Sequence, residues 1–353
     1  MRIAQVAPLF ESVPPKMYGG TERVVSILTE ELVRAGNDVT LFASGDSITS
    51  ANLVSVCPEA LRLTQCIDPI AHHVVMIEKV FEQRHDFDVI HFHIDHLQYS
   101  MCRRERVPNI TTLHGRLDIP DLAALFQKFD DAPVVSISDS QRDPLPWLNW
   151  QATVYHGLPK NQYSLGDGQG GYLAFLGRIS PEKGIDQAIE IATRVGMPLR
   201  IAAKIDRADR EYFETVVRPL LKNPLVDYIG EIGYPEKNEF LGNAAALLFP
   251  INWPEPFGLV MIESLACGTP VIAYPRGSVP EILEHGRSGL LVKDATAAVT
   301  AVDSIPKISR AECRHRFEER FSATRMAENY LALYQKLIRI PEPFELTDGV
   351  SVG

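Results

Sequence analysis

"NWPEPFGLVMIESLACGTPVIAYPRGSVPEIL", residues 252–283, holds a loop, a helix and a strand in close succession. Pro254 and Pro256 fix φ on either side of Glu255, so the entry is stiff and a helix is expected to begin near Phe257 or Gly258. Glu255 then stands just outside the helix N-terminus. The N–H groups of Phe257, Gly258 and Leu259 lack intrahelical acceptors and are suited to meet a phosphate or a hydroxyl. Glu263 lies about five residues into the helix, roughly 7–8 Å along its axis at ~1.5 Å per residue. The helix dipole alone favours acidic residues in this region. Ile262 and Leu265, however, mark a buried helix in which an unpaired carboxylate is costly, and that favours a ligand. Glu255 and Glu263 are therefore candidates to accept hydrogen bonds from hydroxyls at two places on one extended molecule, such as a sugar and a ribose.

The strand "PVIAY" after this helix belongs to a longer rhythm of short apolar strands alternating with amphipathic helices. Before residue 160 the expected strands are "RIAQVAP", "DVTLFAS", "FDVIHFH", "NITTLH", "PVVSIS" and "ATVYHG", and "TERVVSILTEELVRAG" has helical spacing closed by Gly36. Residues 158–171 are Gly-rich, polar and aperiodic, and read as a linker. The rhythm restarts with "YLAFLGRI", "LRIAAKI", "VDYIGEI" and "AALLFP". Strands alternating with helices indicate an α/β chain with parallel sheets covered on both faces. The expected architecture is two Rossmann-like, doubly wound domains, 1–160 and 161–334, facing each other across a cleft at the carboxyl ends of their strands. The segment from about 335 to 353, after the last helix, is expected to return to the first domain.

A length of 353 residues, 45% hydrophobic and 23% charged, suits two globular domains. The formal net charge of -10 excludes a nucleic-acid partner as the main reading, because phosphate backbones require a basic surface. Five cysteines without a C-x-x-C pair read as reduced thiols of a cytoplasmic protein. No signal-peptide order is present at the N-terminus, and no apolar run approaches the roughly 18 residues of a membrane span. Arg103-Arg104-Glu105-Arg106 is the best basic cluster and the only sequence support for peripheral contact with the inner membrane face.

Two further segments carry chemistry. "MYGGTERVV" places Gly19 and Gly20 just before a helix, where a bare backbone admits an anion or sugar. It is not G-x-G-x-x-G, so there is no nicotinamide or flavin fingerprint. "FLGRISPEKG" puts Arg178 at the end of a strand and Lys183 in the following loop, a directional and a point cation suited to a diphosphate.

Taken with "TTLHG", "LGRISPEKG", "EPFGLVMIE" and "ACGTPVIA" in that order, the chain resembles the retaining GT-B glycosyltransferases of family 4 over nearly its whole length. The spacing Glu255-x7-Glu263 is the most specific part. The resemblance implies a hexosyltransferase with a nucleotide-sugar donor held mostly by the second domain. Arg178 and Lys183 would then hold the diphosphate, Glu263 the ribose, and Glu255 with Phe257, Gly258 and Leu259 the sugar. His114 would reach that sugar from the first domain, and Gly19 and Gly20 would let the phosphates approach. The base would rest near Ile229 to Ile232. It implies transfer with retention and without a required metal, so no cofactor is expected and the nucleotide sugar is a substrate. UDP-glucose is the donor expected, ahead of GDP-mannose. The acceptor would be a saccharide or a lipid-linked molecule in envelope or extracellular polysaccharide or glycolipid synthesis. "VYHG" and "IAAKI" depart from commoner family forms, leaving His156 without a role and adding Lys204 as a third cation near the phosphates.

"HFHIDH", residues 91–96, spells H-x-H-x-D-H, a zinc-hydrolase signature, and supplies a remote rival from another class. His91 and His93 fall on one face of an expected strand, and His156 and His285 lack the sequence context of downstream zinc ligands. They are expected to be structural, with Asp95 or His96 at the acceptor edge of the cleft. Asp86-Phe87-Asp88 spells D-x-D but leads directly into a strand, and no metal is expected there. A nucleotide-sugar epimerase or a phosphorylase on the same fold, and a non-catalytic sugar-nucleotide binder, are the remaining alternatives.

Overall fold

The computed structural model describes residues 1–17, 19–105 and 107–338. The expected segment 335–353 therefore lies outside the described residues beyond Ile338. The first sheet is built from β1 (Arg2–Val6), β2 (Asp38–Ala43), β3 (Asn52–Ser55), β4 (Val89–Phe92), β5 (Asn109–Thr112), β6 (Val134–Ser136) and β7 (Trp150–Thr153). Its order is β3-β2-β1-β4-β5-β6-β7, and all pairings are parallel. The second contains β8 (Leu173–Arg178), β9 (Leu199–Lys204), β10 (Val226–Gly230), β11 (Ala246–Phe249), β12 (Val271–Ala273) and β13 (Gly289–Leu291). Its order, β10-β9-β8-β11-β12-β13, repeats the pattern of the first, again parallel throughout. Each sheet reverses its winding at its first strand, which leaves a crevice outside the carboxyl ends between β1 and β4 and between β8 and β11.

The expected strands all form. The edge strands β3 and β13 were not anticipated, because "NLVS" is largely exposed and "GLL" is too short to show a period. The last strand of the first sheet lies upstream of "ATVYHG" proper, at Trp150–Thr153. After Val154 the chain leaves the sheet to cross between domains. Leu158 there exchanges hydrogen bonds with Phe321 and Ala323, at 2.9 Å each. The outgoing and returning chains thus touch, and Gly157 permits it: a Cβ there would lie 2.3 Å from the Ser322 carbonyl oxygen.

The helix Ala323–Ile338 buries Tyr330 and Tyr334. Tyr334 donates to or accepts from first-domain side chains, with its hydroxyl 2.6 Å from His91 Nδ1. The linker is less free than its composition suggests. Arg310 donates to the Gly166 carbonyl at 2.8 Å, and Arg314 to those of Tyr163 and Lys160 at 2.7 and 2.8 Å. Most of residues 159–171 is thereby pinned to the second domain, and the crossing is confined to a pair of short touching segments.

Candidate active site

The residues that follow successive strand ends converge on one cavity of about 350 Å³, a size suited to a small molecule. From the first sheet come Gly19, Gly20 and Arg23 after β1, His114 after β5, Ile137 after β6 and His156 after β7. From the second come Arg178 at the end of β8, Lys204 at the end of β9, Ile232 after β10, and Trp253 with Glu255 to Val260 after β11. The cavity therefore contains Gly19, Gly20, His114, Arg178, Lys183, Lys204, Ile232, Glu255, Phe257, Gly258, Leu259 and Glu263 together. Within residues 229–232, Glu231 and Ile232 line it. Asp95 and His96 do not; Asp95 is exposed, with φ 56°.

Parallel register places Arg178 directly beside Lys204. Neither stands alone. Arg178 is paired with Glu182, and also lies 3.7 Å from Asp206 and 3.5 Å from Asp209; Lys204 is 3.1 Å from Asp206. Lys183 reaches Glu255 at 2.6 Å and sits over the Trp253 ring, 5.2 Å from its centroid. The Trp253 indole N–H donates to the same Glu255 oxygen at 2.8 Å. Expecting cations open to a diphosphate overlooked these carboxylates, which hold each cation in place and must share or yield it when an anion enters.

Glu263 is the fifth residue of the helix Leu259–Ala266 and is 3% exposed. Burial raises its pKa, but Lys237, 2.8 Å away, together with Arg23 and the Tyr163 hydroxyl at 3.2 Å, outweighs that and holds it below the ordinary carboxylate range. Glu263 is thus a buried, ionised acceptor. The helix starts one or two residues later than expected because Gly258 takes φ 79° as its cap. That turn brings Glu255 to the helix mouth, and a Cβ on Gly258 would lie 3.3 Å from Glu255 Cγ.

The turn 276–278 locks the Glu255 loop from behind. Ser278 N donates to the Glu255 carbonyl at 2.9 Å and its hydroxyl to that of Phe257 at 2.8 Å. Gly277 has φ 57°, and a Cβ there would lie 2.4 Å from the Glu255 nitrogen. Gly277→Ala should therefore displace the loop, costing about 1–3 kcal/mol of stability and raising KM for a ligand held against Glu255. Urea unfolding and initial-rate kinetics check both, and unchanged values in the two would show that the loop does not depend on this turn. Lys237, Trp253, Gly277 and Ser278 were missed from sequence. "PRGS", with its glycine between prolines, carried a turn signal, whereas Lys237 in "PEKNEF" looked like an ordinary solvated charge.

His91 and His93 of the H-x-H-x-D-H string are buried and engaged. His91 contacts the Tyr334 hydroxyl and, at 2.7 Å, Thr112; His93 contacts Gln5 and His114, each at 2.9 Å. His156 stacks on His114 and meets Phe257 edge-on at 4.7 Å. Burial pushes all four below the ordinary imidazole range, His114 to about 3. Asp88 of the D-x-D string accepts from the Arg2 backbone and guanidinium at 2.8 and 2.7 Å, at the amino end of the sheet, away from the cavity. Arg103 of the basic cluster pairs with Asp131 and covers Phe129. Among the described residues no helix is long and apolar enough to cross a membrane.

Comparison with known proteins covers both halves. Residues 18–152 match the model of Glycosyltransferase Family 4, and residues 163–322 that of Glycosyl transferases group 1. An uncharacterized glycosyltransferase of Methanocaldococcus jannaschii is 24% identical over 362 residues, spanning 86% of this chain and 89% of that protein. Three further curated relatives align over about half of their own length. Among solved structures, sucrose-phosphate synthase from Thermosynechococcus elongatus superposes with a TM-score of 0.79 at 19% identity, over 95% of this chain and 98% of that one. Anabaena Alr3699/HepE, crystallised with UDP-glucose, gives 0.71 at 17% identity, over 95% and 100%. At such identities the structural likeness establishes the GT-B fold.

Proposed function

We propose that this chain, a hexosyltransferase of the family-4 kind with a GT-B fold, uses a nucleotide-sugar donor and moves glucose from UDP-glucose to an acceptor hydroxyl with retention at the anomeric carbon. The observation that carries this is the placement, in one cavity, of the Arg178–Lys204 cation pair at one sheet's carboxyl edge and the ionised, buried Glu263 beyond it. A diphosphate and a vicinal diol within one molecule are what a nucleoside diphosphate offers. HepE, with UDP-glucose in its own structure, supports uridine as the base.

In this mechanism Arg178, Lys183 and Lys204 neutralise the charge that grows on the departing diphosphate, while Gly19 and Gly20 allow its close approach. Glu263 accepts from the ribose hydroxyls. Glu255 and the backbone of Phe257, Gly258 and Leu259 orient the sugar, and His114 meets it from the opposite domain. The acceptor hydroxyl attacks from the leaving-group face through an oxocarbenium-like transition state. No metal is required for transfer in this proposal. The acceptor is a saccharide or a lipid-linked molecule of envelope or extracellular polysaccharide synthesis, and the site of action is the cytoplasm, including its membrane face.

Thermal shift with UDP, GDP, ADP and UDP-glucose tests the donor. A ligand at about 100-fold its Kd adds ~2.7 kcal/mol of stability, so UDP and UDP-glucose should raise Tm clearly and GDP and ADP little. Stabilisation by GDP but not UDP would overturn the donor assignment. Epimerised UDP-sugar forming without any acceptor would favour the epimerase alternative.

A further inference from the structure

Beneath the cavity, side chains from four separated parts of the chain form one hydrogen-bonded series. Gln5 stands on β1, His91 and His93 on or just after β4, His114 after β5, and Tyr334 on the helix Ala323–Ile338. All but His114 are fully buried. With the Gln5 amide oriented as in the structure, the proton positions from Gln5 to His114 follow from counting donors and acceptors.

Gln5 Nε2 donates to the Tyr334 hydroxyl oxygen at 3.1 Å. The Tyr334 hydroxyl can then give its proton to His91 Nδ1, 2.6 Å away, with His91 donating from Nε2 to Thr112. With its amide so oriented, Gln5 turns Oε1, which can only accept, toward His93 Nε2 at 2.9 Å. His93 must therefore carry its proton on Nε2. A neutral imidazole has one proton, so His93 Nδ1 is an acceptor, and the 2.9 Å contact to His114 requires that His114 donate from Nε2. His114 Nδ1 is then a bare lone pair. It is buried, has no hydrogen-bond partner, and belongs to a residue that lines the cavity. An acceptor left unmatched in this way is costly until a donor reaches it.

We propose that Gln5 and His93, set by Tyr334, are positioning residues that hold His114 in the Nε2–H form, so that its Nδ1 selects a donor sugar presenting a hydroxyl rather than an acceptor group or a hydrogen. The selection rests on the sugar-nucleotide function proposed above; the tautomer does not. Rotating the Gln5 amide would reverse every bond in the series and leave Nδ1–H on His114, a donor toward the ligand. The two arrangements make opposite predictions. Tying the series to Tyr334 also makes the polarity of a cavity residue depend on the helix that returns from the second domain.

The test uses the full chain labelled with ¹⁵N-histidine, with His114 assigned by comparison with His114→Gln. In the wild type, His114 Nδ1 should give the signal of an unprotonated, pyridine-like nitrogen. Gln5→Leu should convert it to a mixture of tautomers, and Gln5→Glu, which restores an acceptor opposite His93, should recover the single form. If Gln5→Leu fails to fold, Tyr334→Phe provides the same comparison with the ring retained. In kinetics, UDP-glucose is compared with its mono-deoxy analogues. One analogue should lose about tenfold in kcat/KM with the wild type, and that penalty should fall below about threefold in Gln5→Leu while the others are unchanged. A protonated Nδ1 in the wild type, a tautomer indifferent to Gln5→Leu, or equal penalties for all analogues would each overturn the proposal. If no sugar nucleotide is turned over, the proposed function fails while the spectra still decide the tautomer.

Discussion

Arg178→Ala should slow sugar transfer by roughly 30- to 1000-fold, the ~2–4 kcal/mol expected for removing one preorganised group that stabilises developing charge. Its surroundings make the loss two-sided. Glu182, Asp206 and Asp209 all lie within ion-pair distance of this guanidinium. Truncation removes the cation and leaves three carboxylates facing the position proposed for the diphosphate, so kcat should fall and KM for the donor should rise. Adding Glu182→Gln to Arg178→Ala should recover part of KM but little of kcat, because the repulsion is relieved while the transition-state charge stays unmatched. Kinetics that separate the two constants check this. An Arg178→Ala enzyme within threefold of wild type would show that the diphosphate is held elsewhere.

Acidification from about pH 7.5 to about pH 5.5 should destabilise the fold by about 3–4 kcal/mol, a large share of the ~5–15 kcal/mol typical of a domain. His91, His93, His114 and His156 have folded-state pKa values pressed below the ordinary imidazole value of about 6.5 by burial. Below about 6.5 the unfolded chain takes up protons that the native imidazoles refuse, so their contribution is complete above that pH and is lost as pH falls. One such group forfeits about 1.4 kcal/mol over this interval, and four forfeit on the order of 5. Glu22 works in the opposite sense. Burial raises it to about 7, so the native state gains a proton first on acidification and recovers on the order of 2 kcal/mol. Urea midpoints at the two pH values measure the net effect. Glu22→Gln should steepen the dependence, and a flat profile would mean that the histidine cluster is charged or open in the native state.

Much of the cavity was legible because its residues are announced by local chemistry. Arg178 ends an apolar strand, Gly19 and Gly20 sit at the start of a helix, and Glu255 stands between two prolines. In a doubly wound sheet those places all fall at the carboxyl edge, so position along the chain translates into position at the cleft. Partners drawn from elsewhere carry no such mark. Lys237 is one of many charged residues on an amphipathic surface until the fold lays its helix against Glu263. Gly277 signals a turn, but only the packed loop shows that a Cβ would strike Glu255. The H-x-H-x-D-H string is the reverse case, a strong local pattern whose His91 and His93 are absorbed by Gln5, Thr112 and Tyr334.

The amino-acid sequence by itself determined two parallel α/β domains, the order of their strands along the chain and the ends at which chemistry gathers, because periodicity, glycine and proline act over a few residues. Only the tertiary structure decided which charges meet. Ion pairing and tautomer choice depend on distances between residues hundreds of positions apart, such as Gln5 and Tyr334. Through those distances the fold turns Arg178 from an open cation into one guarded by three carboxylates, and His114 from a titratable ring into a neutral one with a defined acceptor.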